Sequence, residues 1–508
     1  MDVRNSLGGL PQHKCPVNIG KRRPHRIKEN STTALPTYFA FFDTETTEMP
    51  TSSGERKQVL RLGWICFVYR DRRRNKISEK WKEFRTVEEF WDLVESQVPN
   101  RKRMWCFAHN IDFDFRVLEG FRVLHKRGWK IKTFVYDSKN VILEFRKGKK
   151  TLLFLDTYNF YKGSVKKMGE SIGLEKLEVD FATVSDKELS EYCKRDVEII
   201  KEFMMRFVDF VEKNDLGSLQ KTLASQAFSA FRHRFMRHDI FIHNNEHVIE
   251  LERESYRGGR TEAFFIGKLP KGRYYKLDVN SMYPYVMRNR LYPTKLICVE
   301  RNPTISGLKR ALQRFFVIAH VRVRVDKPVV AVKGERLFFP VGEFDCVITS
   351  PELLLVLKHG EIVKVYEYVL YEQHPIFDEY VDFFYSLKEK YAKEGNSAYK
   401  QIAKLFLNSL YGKFGQKVRP FERIGECEHE DGYEVVYDLE SGERITYRYL
   451  NGEIWVESKE WYESENSFVA IASAVTAYAR CYLWEIIEKA GLDNVFYCDT
   501  DSVIVNEV

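Results

Sequence analysis

Phe496-Tyr497-Cys498-Asp499-Thr500-Asp501-Ser502, followed by Val503-Ile504-Val505, constrains the fold of this chain more tightly than any other stretch. Apolar β-formers on both sides of a short polar segment spell strand, turn, strand. Asp499 and Asp501 are alternate residues of an extended segment, so both carboxylates leave the backbone on one side. Two like charges held together out of water are costly unless a cation or another positive group joins them. Taken alone, the stretch is an ordinary polar turn, and acids elsewhere decide between the two readings.

A chain of 508 residues exceeds one hydrophobic core and predicts two or three domains. Its 44% hydrophobic and 14% aromatic content is ample for packed domains, which excludes a disordered chain. The net charge of +8 suits a groove for a polyanion without demanding one. Nine cysteines with no C-x-x-C pair argue against a zinc framework or disulfide scaffold, and for a reducing, intracellular setting. No apolar run of about 18 residues is present, so no membrane contact is expected and the chain reads as soluble. The amino terminus lacks an apolar signal core and carries the basic run Lys21-Arg22-Arg23-Pro24-His25-Arg26-Ile27-Lys28, read as a solvated arm.

Residues 1–35 read as a basic flexible tail. Strands and helices then alternate to about residue 215, as in an α/β domain, with strands at 60–69, 132–136, 141–145 and 152–155 and a helix over 186–214. A second α/β unit starts near 216, with a helical segment through Arg237 and a strand near 274–279. Residues 301–370 are rich in β-formers, notably 315–325, and hold a helix at 351–358 opened by Ser350 with Glu352 in its first turn. Residues 378–411 read as two helices joined at Gly395. Residues 416–460 read as hairpins turning at Asp431-Gly432, Ser441-Gly442 and Asn451-Gly452. A helix rich in small residues, 467–490, leads into the final hairpin.

Two constellations of acids carry chemistry. In the first, Asp43-Thr44-Glu45 follows an apolar strand and again sets two carboxylates on one face. Asn110 and Asp114, with Phe113 beside them, share a helical face at i, i+4, as do Tyr192 and Asp196 further on. Asp112 is read as solvated. Acids from three elements can converge on two divalent cations, which hold the attacking and departing oxygens of a phosphodiester in line, with Tyr192 orienting a water. Any one of these pairs is ordinary on a protein surface. The ordered set Asp-x-Glu, Asn-x-x-x-Asp, Tyr-x-x-x-Asp is similar to the three motifs of 3′→5′ proofreading exonucleases.

In the second, Asp278 closes a strand and Tyr283 follows five residues on, with Asp499 and Asp501 about 220 residues later. Asp278 and the Val279 carbonyl offer oxygen ligands to a hard ion such as Mg²⁺. Between them, Lys404, Asn408 and Tyr411 fall on one helical face. They offer a point charge for triphosphate oxygens, an amide for sugar or phosphate, and a ring for a base. Alone, that helix is an amphipathic core element with a snorkelling lysine.

These residues resemble the family B DNA polymerases, with three exonuclease motifs and polymerase motifs A, B and C, from about residue 36 to the end. Within the family the resemblance is to the protein-primed branch of terminal-protein phages, adenoviruses and linear plasmids. Tyr256-Arg257-Gly258-Gly259 matches its Tyr-x-Gly-Gly segment, whose glycines let backbone approach a template phosphate. The resemblance implies a multidomain α/β fold: a ribonuclease-H-like exonuclease domain at 36–215, palm at 216–300, and an insertion with palm elements at 301–377. Fingers follow at 378–415, a hairpin-rich second insertion at 416–466, linked to processivity and strand displacement, and palm again at 467–508. It implies DNA contacts at Tyr256, Gly258, Gly259, Asn110, Phe113, Ser164 and Lys176. It makes Tyr283 the ring that blocks a ribose 2′-OH and Lys390 a second triphosphate contact. Two Mg²⁺ ions per site, replaceable by Mn²⁺, are expected. The expected partners are template and primer DNA, dNTPs and a terminal protein primer, acting with a monomer. The chain is expected to end before the thumb. Two rivals are a polymerase of this fold that starts without a primer, and a nuclease or nucleic-acid-binding protein with an inactive polymerase half.

Overall fold

A computed structural model describes residues 22–50, 56–71, 74, 76–136, 140–428, 431–437, 444–458 and 460–506. They fall into two units. One combines Leu35–Met205 with Val418–Tyr462, and the other combines Arg22–Ala34 with Arg206–Lys417 and Glu463–Val508.

The first unit is built on a seven-stranded sheet. Its order is Lys76–Phe84, Arg56–Asp71, Tyr38–Pro50, Arg103–Ala108, Lys150–Asp156, Val141–Lys147, Lys130–Tyr136. Arg103–Ala108 pairs in parallel with Tyr38–Pro50 and with Lys150–Asp156, and the other pairs are antiparallel. Central strands covered on both faces need apolar residues at every position, which is why residues 39–42 and 152–155 are unbroken hydrophobic runs. Phe42, Phe90, Trp91, Phe115 and Phe154 interlock on one face. Each such buried ring contributes about 1.5–3 kcal/mol. The strand at Tyr38 does not stop at its acids but runs on to Pro50, which keeps Asp43 and Glu45 in register on one side.

The hairpin-rich segment expected at 416–466 forms a four-stranded antiparallel sheet in this first unit. Its order is Phe421–Glu426, Glu453–Glu457, Arg444–Leu450, Gly432–Tyr437. Phe134 of the edge strand meets Phe421 at 4.8 Å and Trp455 at 5.8 Å between ring centroids. The Asn451-Gly452 turn has φ of 58° and 71°, the left-handed pair that a two-residue hairpin turn demands. The Asn451 side chain is buried there and donates to the Trp129 carbonyl at 3.2 Å. Ser441-Gly442 lies outside the described residues.

The second unit holds an antiparallel sheet ordered Thr261–Ala263, Val495–Asp499, Ser502–Val505, Tyr275–Asp278. A second sheet is ordered Tyr292–Arg301, Gly360–His374, Phe316–Val325, Gly342–Thr349. The helix Val469–Ala490 packs against both sheets and other helices, and its run from Val469 to Ala477 is buried throughout, as its small and apolar residues require. Helices Asp378–Lys393 and Ser397–Ser409 join at Gly395, which takes φ of 68°.

Two expectations need correction. The basic tail is ordered from Arg22, whose guanidinium donates to the Ser467 carbonyl at 2.6 Å and the His243 carbonyl at 2.6 Å. His25–Arg26 pairs with Phe241–Ile242, and Ile27 is buried; one apolar residue among cations is too short a pattern to read as structure. The rest of that tail, 1–21, lies outside the described residues. The helix expected to open at Ser350 is capped by Thr349, whose N–H and hydroxyl donate to Glu352 at 3.1 and 3.0 Å. The stretch Leu35–Met205 of the first unit closes inside the helix Asp186–Lys213, and Val418–Tyr462 belongs to that unit as well.

Candidate active sites

The strand Tyr38–Pro50 presents Asp43 and Glu45 on one side and buries Thr44 on the other. The helix Asp186–Lys213 packs Leu189 and Cys193 against Leu62 of the neighbouring strand Arg56–Asp71, and so brings Tyr192 and Asp196 beside Asp43 and Glu45. Ligand atoms of Asp43, Glu45 and Cys193 lie within 4.8 Å of one another. Thr44 donates its N–H and its hydroxyl to Asp114 Oδ1 at 3.0 and 2.6 Å. Asp196 forms an ion pair with Lys176, whose ammonium also stands 4.3 Å from the Tyr192 ring centroid. Asp43, Glu45, Asp114 and Asp196, drawn from three elements, thus share one site.

Their electrostatics are those of buried, mutually repelling acids. Burial raises the Asp43 carboxyl well above the usual range, and Asp114, Asp196 and Glu45 push it further. Burial and Asp196 raise Glu45 to about 7; burial raises Asp114 to about 7 against the opposing Thr44 hydrogen bonds. Asp196 Oδ1 is buried without a partner among the described residues. Mutually repelling carboxylates with an orphaned buried oxygen fit a divalent cation.

Asn110 does not share a helical face with Asp114. It precedes the helix Ile111–Val117 in the left-handed region, φ 62°, and its N–H donates to Asp156 Oδ1 at 3.1 Å. Asp156 also accepts from Ile111 N at 3.1 Å and Tyr158 N at 2.8 Å, so it is a buried acid that shapes this turn, a role its place at the end of an apolar strand did not disclose. Asp112, rather than standing free in solvent, pairs with Arg116 at 2.8 Å and lines a cleft of about 950 Å³ with Asn110, Ser164 and Lys176. Ser164 caps the helix Val165–Ile172, and Phe113 is exposed. His109 went unnoticed in the sequence. It stacks on Tyr158 at 4.5 Å, and burial followed by Lys176 lowers it to about 4. Cys193 is a second such residue; its thiol donates to the Asp43 carbonyl at 3.4 Å.

In the second unit Asp278 lies opposite Ser502 across the sheet, and Val279 N–H donates to the Asp501 carbonyl at 2.8 Å. Asp499 accepts from the hydroxyls of Thr261 at 3.1 Å and Thr500 at 3.0 Å. Thr500 turns at φ 56°, with its N–H bonded to the Arg260 carbonyl at 2.7 Å. Burial, then Asp278 and Asp499, raise the Asp501 carboxyl. Three acids separated by some 220 residues meet at one end of one sheet, an oxygen-rich set that also fits a hard cation.

The segment that includes Tyr256, Gly258 and Gly259 is seated on buried Arg480, which donates to the carbonyls of Arg257 and Gly258, both at 2.8 Å, and to Glu352 at 2.8 Å. A Cβ on Gly259 would come within 2.9 Å of Thr500 and 3.0 Å of the Tyr283 hydroxyl, whereas Gly258 faces open space. Tyr283 stacks on Tyr411 at 5.2 Å and 15°. Lys404 and Asn408 are exposed on one face of Ser397–Ser409. Lys388, not Lys390, joins them: its ammonium donates to Ser281 Oγ at 3.0 Å, and burial, then Lys404, lower its pKa. The Lys390 ammonium stands over the Tyr391 ring instead. The helix Asp378–Lys393 carries several lysines, and only its packed rotation selects among them.

The sequence profile of DNA polymerase type B, organellar and viral, matches residues 174–491. A probable DNA polymerase of Neurospora intermedia is 29% identical over 344 residues, covering 63% of this chain and 34% of its own. The DNA-directed DNA polymerase of Enterobacteria phage PRD1 is 26% identical over 346 residues, 66% of this chain and 57% of that protein. The DNA polymerase of Streptococcus phage Cp-1 is 25% identical over 446 residues, 78% and 70% of the two chains. The structure of Phi29 DNA polymerase complexed with primer-template DNA shares the fold, with a TM-score of 0.64 at 19% identity over 93% of this chain and 80% of that one. This chain spans 27% to 34% of the length of three fungal and related curated relatives it matches. No helix among the described residues is long and apolar enough to cross a membrane.

Proposed function

This chain belongs to the type B DNA polymerases of the organellar and viral group, and from that membership we propose template-directed DNA synthesis at Asp278, Asp499 and Asp501, with 3′→5′ editing at the four-acid site. The observation that carries it is the sheet joining Asp278 to the Asp499–Asp501 turn, with the backbone bond from Val279 to Asp501 holding the two ends together. Divalent cations, Mg²⁺ or Mn²⁺ and two per site, would be held by Asp278, the Val279 carbonyl, Asp499 and Asp501 at one site and by Asp43, Glu45, Asp114 and Asp196 at the other, supplying charge neutralisation and an acidified hydroxyl or water.

The chain's own residues then bind and orient. Lys404 and Lys388 take triphosphate oxygens of the incoming dNTP, and Asn408 takes its sugar or phosphate. Tyr411 supports the base, and Tyr283, which stacks on it, serves to exclude a ribose 2′-OH. Tyr256, Gly258 and Gly259 meet the template strand. In the editing site Asn110, Phe113 and Ser164 hold the frayed 3′ end. Lys176 offsets charge at the scissile phosphate, and Tyr192 aligns the attacking water. A protein primer is the proposed starter, by likeness to the protein-primed branch.

The test is primer extension and 3′→5′ degradation on the same chain. Asp499→Ala should abolish extension and spare degradation, and Asp43→Ala should do the reverse. Loss of both activities together in a folded variant sinks the two-site assignment. Degradation without any extension by the native chain favours the nuclease rival. Extension without primer or protein partner favours the primer-independent one.

A further inference from the structure

We propose that Arg448, carried by the inserted sheet, binds the phosphate backbone of single-stranded DNA in the cleft lined by Asn110, Ser164 and Lys176, which adjoins the four-acid site through the Lys176–Asp196 ion pair, an assignment that rests on the editing reading. Arg448 lies two residues before Leu450 on the strand Arg444–Leu450, and alternate residues of a strand share a face. Leu450 is 3% exposed and belongs to the core of the first unit, so Arg448 faces inward with it. The surrounding contact is apolar and aromatic, made by Phe134, Phe421 and Trp455. Packing alone would fill that face with another hydrophobe, because a guanidinium is expensive to hold there without a partner.

Arg448 Nε is buried and has no hydrogen-bond partner among the described residues. The guanidinium lies 4.7 Å from the Tyr136 ring centroid and 5.6 Å from that of Phe421. It lines the same cleft as Asn110, Tyr158, Ser164, Lys166 and Lys176. That volume of about 950 Å³ is at the upper end of the range for a single small ligand. Cations on its walls with aromatic rings between them are the chemistry of a single-strand groove, in which charges follow the backbone and rings take the bases.

The mount is rigid where it matters. The Asn451-Gly452 turn just beyond Arg448 is pinned to Trp129, and a Cβ on Gly452 would strike the His125 ring at 2.5 Å. Tyr136, under the guanidinium, hydrogen-bonds in turn to Asp112 and Arg116 of the helix that carries Asp114. The inserted sheet therefore touches, through Tyr136, residues of the helix that carries Asp114, and it places a charge in the cleft.

The experiment is binding of a labelled oligothymidylate of about ten nucleotides to the full chain without divalent ions, across a salt series. Arg448→Gln keeps a planar group over Tyr136 and removes the charge; Arg448→Lys keeps the charge. Arg448→Gln should bind about tenfold more weakly and flatten the log–log salt slope by about 0.7. Arg448→Lys should recover the slope and most of the affinity. Unchanged affinity and slope in Arg448→Gln overturns the proposal. Equal weakening by Gln and Lys marks Arg448 as a packing residue and overturns it too. A native chain that neither binds nor degrades the oligonucleotide overturns the editing reading itself, which is a separate result.

Discussion

Thr44 gives both its backbone N–H and its hydroxyl to a single oxygen of Asp114, 70 residues away, at 3.0 and 2.6 Å. The middle residue of the Asp-Thr-Glu run is thereby a clamp: its neighbours project together on one side of the strand while it fixes the acid that arrives from a different element. Without the clamp, burial would raise Asp114 further above the ordinary carboxylate range.

Thr44→Val keeps the shape and removes the hydroxyl. A hydrogen bond to a charged group contributes about 1.5–3 kcal/mol, or at least one pKa unit. The acid limb of the degradation pH profile should move upward by about one unit, with extension unaffected. An unshifted limb in the folded variant would show that Asp114 does not depend on Thr44.

The four acids also make a prediction about stability. Glu45 and Asp114 are held at about 7, above their unfolded values, and Asp43 is raised as well. The folded chain therefore binds the extra protons. Its stability is fully present below the unfolded values near 4 and is lost as pH rises through about 7. Chelated protein should gain from Asp43→Asn at pH 8 and not at pH 5, by about 2–4 °C in melting midpoint for each kcal/mol relieved. Mg²⁺ should stabilise the native chain at pH 8 more than the variant. Equal midpoints for the two chelated proteins at pH 8 would contradict this.

Gly258 and Gly259 separate by space alone. Gly259→Ala sets a Cβ against Thr500 and the Tyr283 hydroxyl, and overpacking of that kind costs about 1–3 kcal/mol. Extension should fall by about tenfold or more. Gly258→Ala enters open space and should leave melting unchanged, so any loss of extension there reports contact with template. A Gly259→Ala chain that extends normally would remove the steric argument.

Lys388 and Lys390 are two residues apart on one helix and face differently. Lys388→Ala should raise the KM for dNTP by about tenfold, the scale of one charge-assisted phosphate contact. Lys390→Ala should stay within about twofold. The reverse ranking, measured by steady-state extension, would return the role to Lys390.

Much of both sites was legible in order along the chain. Asp43 and Glu45 are paired by the alternation of a strand, and Tyr192 with Asp196 by the turn of a helix; both periods are local. Asp499 and Asp501 are instead brought together by a tight turn at Thr500 and not by strand alternation. Asn110 misled because its helical spacing from Asp114 hides a left-handed turn, and that turn is set by Asp156, 46 residues on. Nothing near Arg22 in the sequence marks it as anchored, since its acceptors are carbonyls more than 200 residues away.

By itself the sequence determined most of the strands and helices and that Asp43 and Glu45 stand on a common face, because those depend on neighbours within one turn or one pleat. Only the tertiary structure decided that Thr44 holds Asp114, that Lys388 rather than Lys390 faces Ser281, and that residues 418–462 turn Arg448 into the cleft. Each of these depends on a packed rotation or a contact between distant segments, and such contacts leave no period in the chain.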